Sequence, residues 1–78
     1  MDTNKLIALL PDMAAFVAVV ETGSFTKAAL KLGVTPSGVS RQVSRMETAL
    51  SAVLIERTTR QQTITLVGRA VYEQCRQM

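Results

Sequence analysis

The sequence predicts a mainly α domain in which three short helices are followed by a β-hairpin and the beginning of a further helix. Three observations carry this. Apolar residues recur with helical spacing on one face in three separate stretches, at i, i+3, i+4, i+7 in the first two and at i, i+4, i+7, i+11 in the third. The period changes to two only across residues 63–66. Hydrophobic residues make up 47% of the chain and aromatics only 4%, so the core must be built from Ala, Val, Leu and Met, as in small helical domains. With 78 residues the chain holds one domain at most, near the size where a single core is only marginally self-supporting.

The elements follow in order. Pro11 and Asp12 announce the first helix, whose apolar face is Met13, Phe16, Val17 and Val20 and which ends near Thr22 and Gly23. Ser24 offers a side-chain oxygen as N-cap for a second helix with Phe25, Ala28, Ala29 and Leu32 on its buried face. Gly33 supplies the left-handed backbone that stops it, and Val34 crosses the turn into Thr35 and Pro36, an N-cap followed by proline at the first helical position. The third helix, about residues 35–50, buries Val39, Val43, Met46 and Leu50. Its opposite stripe carries Ser37, Ser40, Arg41 and Ser44.

After Val53, Leu54 and Ile55 the alternation of Thr63, Ile64, Thr65 and Leu66 reads as strand, and Arg57 to Gln62 fit a short hairpin with a polar tip, a wing. Gly68 opens a last helical stretch with Val67, Val71, Cys75 and Met78 on its apolar face. That helix has no C-cap, so the chain reads as cut in mid-helix.

The charge is distributed unevenly. The net charge is +3, yet Lys5, Lys27 and Lys31 are cancelled by Asp2, Asp12 and Glu21. The surplus therefore lies in residues 35–78, which hold every arginine. Arginine's planar fork suits phosphate and guanine edges, although a merely solvated basic surface has the same composition. With no histidine, one cysteine and scattered carboxylates, neither a metal site nor a nucleophile-and-base pair can be assembled, and no phosphate-cradling glycine loop is present. No enzyme activity and no cofactor are expected. Cys75 cannot form an internal disulfide and reads as a packing residue; no apolar run reaches the roughly 20 residues a bilayer requires. Leu6 to Leu10 ends at Pro11 without a basic leader, so a cytoplasmic protein without a membrane partner is expected.

Two short helices joined by a tight glycine turn make a helix-turn-helix, whose second helix enters the DNA major groove. A three-helix bundle that binds only protein shares this spacing. Small hydroxyls and one arginine on the outer stripe favour close groove contact, where a solvated face more often carries Glu and Lys. Ser24, Thr26 and Lys27 cluster at a helix N-terminus that suits phosphate. Arg57 and Arg60 flank the hairpin and can reach a minor groove. Gly38 costs about 1 kcal/mol relative to alanine, either for close backbone approach to DNA or helix two, or through simple drift. The rivals are a helical protein-interaction module, which predicts no salt-sensitive DNA affinity, and a complete small repressor.

The segment from Phe16 to Ala29, FVAVVETGSFTKAA, resembles the opening of LysR-type transcription regulators. Leu32 to Val43, LGVTPSGVSRQV, is similar to their turn and recognition helix. Met46-Glu47, the run Leu54 to Arg60, and Thr65 with Gly68 match the family's Leu-Glu, its wing and its Thr-x-x-Gly in order and spacing. The resemblance spans residues 12–78.

It implies a winged helix-turn-helix over residues 1–66 and, over 67–78, the start of a linker helix that pairs with its counterpart in a homodimer through Val67, Val71, Cys75 and Met78. It implies base-edge contacts to double-stranded DNA from Pro36, Ser37, Ser40 and Arg41. Phosphate contacts are implied for Ser24, Thr26, Lys27, Thr35 and Gln42, and wing contacts for Arg57 and Arg60. A larger domain that binds a small-molecule effector is expected in the full-length protein and is absent from these 78 residues. Three positions depart from the family: Gly38 where alanine is usual, Ser51 where glycine is usual and Ile55 where phenylalanine is usual.

Overall fold

A computed structural model of the chain describes residues 2–57 and 62–77. The elements run α1 (Thr3–Thr22), α2 (Phe25–Leu32), α3 (Pro36–Leu50), β1 (Ile55–Arg57), β2 (Gln62–Ile64) and α4 (Leu66–Arg76). This is the expected three-helix unit, hairpin and final helix, with boundaries corrected at both ends.

Helix α1 starts well before Pro11. Asp2 is its N-cap, its carboxylate accepting the Lys5 N–H at 2.8 Å, and the helix passes through Pro11. Proline has no N–H to give the carbonyl of Ile7, but both residues are exposed, so water can take that carbonyl. Continuing the helix also extends its apolar stripe. Leu6, Leu9 and Met13 line a shallow groove with Met46, Leu50, Val71 and Cys75. At 20 residues α1 is long and apolar enough, by length and composition alone, to cross a bilayer. In this fold its Ala15, Phe16, Ala18 and Val19 are instead buried in the core.

That core joins α1 to Ala28 and Ala29 of α2, Val39, Val43 and Met46 of α3, and Leu54 and Ile55 at the start of the hairpin. The two alanines let α2 lie close to its neighbours, and each fully buried Val, Leu or Phe contributes about 1.5 to 3 kcal/mol. Ile55 fills its place at only 4% exposure. Leu32 and Leu50, expected inside, are 38% and 37% exposed because each sits in the last turn of its helix.

Helices α2 and α3 end alike. Gly33 adopts a left-handed conformation with the Val34 N–H bonded back to the Ala29 carbonyl at 3.0 Å, and Ser51 does the same at φ 52° with Ala52 bonded to Glu47 at 3.1 Å. Ser51 is thus a non-glycine residue where only glycine is unstrained.

Strands β1 and β2 are antiparallel, pairing Ile55 with Ile64, Glu56 with Thr63 and Arg57 with Gln62. Arg57 and Gln62 are therefore strand residues rather than tip; residues 58–61, with Arg60, lie outside the described residues, as does Met78. The strand is shorter than its alternation suggested because Thr65 leaves the ladder to cap α4. Its Oγ1 accepts the Gly68 N–H at 2.9 Å and donates to the Val53 carbonyl at 2.7 Å. Hence α4 begins at Leu66 and not at Gly68, which instead lies flat on the Leu54 backbone.

Candidate nucleic-acid interface

The surface is organised by two helix N-termini and the exposed side of α3. Ser24 Oγ accepts the Lys27 N–H at 3.1 Å, and Thr35 Oγ1 accepts the Gly38 N–H at 3.1 Å, so each cap satisfies one orphan donor and leaves others facing outward. Thr26, Lys27, Thr35, Pro36, Ser37 and Arg41 are exposed; Ser24, Ser40 and Gln42 are half-buried. Thr35 and Ser37 hydroxyls lie 3.3 Å apart. Among the described residues Arg41 and Lys27 enter no ion pair, so their charges are available to an anionic partner. Among the described residues, a Cβ on Gly38 would meet only Thr35 Oγ1, at 3.1 Å. Gly38 therefore makes no close approach to α2.

Arg57 behaves differently from its expected place on the wing. Its guanidinium turns back onto α3, donating from Nη1 to Ser40 Oγ at 2.8 Å and from Nη2 to the Ser40 carbonyl at 3.4 Å. It lies 4.8 Å from the Phe25 ring centroid and 3.8 Å from Glu47 Oε1. One side chain thereby ties β1 to both helices of the helix-turn-helix.

Two further supports have no signal in local sequence spacing. Glu47 Oε2 accepts the backbone N–H groups of Leu54 and Ile55, at 2.8 and 3.2 Å, and so fixes how the chain leaves α3 for the hairpin. Asp12, 1% exposed, lies 3.4 Å from Arg45 Nε and pins α1 to α3. Burial pushes the Asp12 carboxyl above its ordinary range, and the Arg45 charge opposes that rise. Glu47 was visible as half of a Met-Glu pair, but its function depends on a turn no local spacing reveals. Asp12 read as a helix-start signal, and nothing in the sequence placed it opposite Arg45.

On α4, Val67 is 51% exposed, whereas Val71 and Cys75 are half-buried against this chain's own core. Burial also raises the Cys75 thiol above its usual range. Tyr72 donates its hydroxyl to Glu21 at 2.9 Å, a second tie from α4 to α1.

Residues 10–69 match the sequence model of the bacterial regulatory helix-turn-helix protein, lysR family. The chain belongs to this family. It is similar to the probable HTH-type transcriptional regulator LtrA of Klebsiella pneumoniae, with 46% identity over 70 residues, covering 90% of this chain and 23% of LtrA. It is similar also to the HTH-type transcriptional activator AaeR of Escherichia coli K12, with 44% identity over 69 residues and coverage of 88% and 22%. The chain thus spans less than a quarter of the length of these LysR-type relatives.

Among solved structures, the BenM DNA-binding domain in complex with benA site 1 DNA superimposes with a TM-score of 0.82 at 40% identity, covering 87% of this chain and 76% of that one. The CbnR DNA-binding domain in its DNA complex matches with a TM-score of 0.82 at 34% identity, covering 86% and 77%. The winged helix-turn-helix expected of a LysR-type domain is the fold observed.

Proposed function

We propose that this chain is the DNA-reading part of a bacterial LysR-type transcription regulator and that it lays α3 in the major groove of a pseudo-palindromic operator. The observation that carries the reading is the N-terminal face of α3. Directly after the turn, exposed Pro36, Ser37 and Arg41 and half-buried Ser40 form a surface of short side chains around a guanidinium that enters no ion pair among the described residues. Such a surface admits close approach to base edges. Ser24, Thr26, Lys27, Thr35 and Gln42 flank it as phosphate contacts, which position the domain without specifying sequence.

Residues 1–66 act as the DNA-binding domain. From residue 67 the last helix pairs with its counterpart in a homodimer through Val67, Val71, Cys75 and Met78. The longer protein adds a domain that binds a small-molecule effector and works in the cytoplasm as a regulator, not as an enzyme. A dimer of this kind places two copies of α3 about 34 to 36 Å apart, or a multiple of that, on one face of the duplex.

Arg41→Ala tests the reading. If Arg41 makes a two-pronged contact to guanine, its loss costs about 1 to 3 kcal/mol on the preferred duplex and flattens preference at one base pair. Equal losses on preferred and random duplexes would remove Arg41 from base reading.

A further inference from the structure

The Arg57–Ser40 contact assigns a polarity to one hydroxyl of the recognition surface. Ser40 Oγ accepts from Arg57 Nη1 at 2.8 Å, and a second guanidinium nitrogen lies 3.4 Å from the Ser40 carbonyl. Among the described residues no acceptor takes the Ser40 hydroxyl hydrogen, not even a carbonyl one turn back in α3. Beside Ser40, the guanidinium is held by Phe25 and Glu47, with its side chain 32% exposed. A cation fixed against Oγ repels any further N–H donor that approaches it.

We propose that Arg57 is a positioning and specificity-determining residue: it turns Ser40 into a one-way donor, so that Ser40 donates to, and thereby selects, base edges that offer an acceptor. Guanine O6 and N7, adenine N7 and thymine O4 meet this condition in the major groove, whereas cytosine N4 and adenine N6 present donors. Arg57 acts from behind α3 and contributes to base choice without touching a base or a phosphate. The inference rests on the proposed reading that Ser40 faces a base edge.

The experiment uses this chain and a duplex that it selects from a random library. Affinity is measured for Ser40→Ala, Arg57→Met and the double variant on that duplex and on its single-base-pair variants, at two salt concentrations. Ser40→Ala is expected to reduce discrimination about 2- to 10-fold at one base pair, the scale of one hydrogen bond. Arg57→Met should reduce it at the same base pair, the double variant should lose no more than either single one, and the salt dependence should stay unchanged. Where the acceptor is a purine N7, the 7-deaza analogue should weaken the parent and weaken Arg57→Met less; where it is O6 or O4, the 7-deaza analogue should change neither.

If Arg57→Met does not fold, Arg57→Lys keeps the charge and the stem but not the two-nitrogen contact, and it should lose part of the discrimination at that same pair. Losses that add in the double variant, or a uniform loss with a salt slope reduced by about one, would show Arg57 to be an independent phosphate contact and overturn the inference. No base-specific loss from Ser40→Ala would instead overturn the base-edge reading beneath it.

Discussion

Gly38 and Gly68 occupy equivalent positions, each the third residue of a helix whose threonine N-cap accepts its N–H, at 3.1 and 2.9 Å. Substitution by alanine should nevertheless act in opposite directions. Alanine favours a helix over glycine by about 1 kcal/mol. At Gly38 the added methyl meets only Thr35 Oγ1 at 3.1 Å, a side-chain atom able to give way by a few tenths of an ångström, so the net change lies between zero and a gain of about 1 kcal/mol.

At Gly68 the methyl would run into the Leu54 carbonyl oxygen, with Ile64 Cγ1 at 3.0 Å. That carbonyl is held in place by the Thr65 N–H at 3.0 Å and the Thr65 hydroxyl at 3.2 Å. Helix α4 would have to lift from the hairpin, and overpacking of this kind costs about 1 to 3 kcal/mol. For a domain of this size each kcal/mol moves Tm by about 4 to 8 °C. Thermal unfolding followed by far-ultraviolet circular dichroism should show Gly68→Ala melting well below the parent and Gly38→Ala at or slightly above it. A Gly68→Ala variant as stable as the parent would refute the packing of α4 on Leu54. If the Gly38 backbone approaches DNA closely, Gly38→Ala should also bind its operator more weakly despite its stability.

Ser51 is left-handed at φ 52°, so Ser51→Gly should raise stability by about 0.5 to 1 kcal/mol in urea unfolding, and a neutral or negative change would contradict a strained cap. The Asp12–Arg45 pair should respond asymmetrically. Arg45→Gln leaves a buried carboxylate without its countercharge and should destabilise at neutral pH more than Asp12→Asn, which leaves only a guanidinium that is already 66% exposed. Because the folded-state pKa of Asp12 is raised, the folded chain takes up this proton more readily than the unfolded chain does. Asp12 therefore favours folding most when protonated, and this contribution is lost as pH rises from its ordinary value of 3.8 through the raised one. The Arg45→Gln deficit should shrink on acidification, as read from urea unfolding across that range, and a deficit that grows would contradict the sign.

Most of the fold was legible because its punctuation is local. Ser24 and Thr35 capped where expected, Gly23 and Gly33 took left-handed conformations, and the stripe of Val39, Val43 and Met46 is buried. The boundaries that shifted depend on contacts distant in sequence. Pro11 reads as a start signal, yet an exposed carbonyl one turn back lets α1 continue toward Asp2. Thr65 reads as strand by alternation, but its hydroxyl finds the Val53 carbonyl and caps α4 instead. At the interface the exposed stripe of α3 was readable from period alone. The engagement of Arg57 with Ser40, 17 residues away, was not, because it requires the hairpin to be docked first.

Sequence-specific recognition of duplex DNA by α3 is tested most directly by letting the purified chain select from a random duplex library at two salt concentrations. Enrichment of an inverted repeat is expected, with specific affinity that falls steeply as salt rises and exceeds random-duplex affinity at both concentrations. Absence of enrichment together with salt-insensitive or undetectable binding would contradict it and leave the helices as a protein-interaction module.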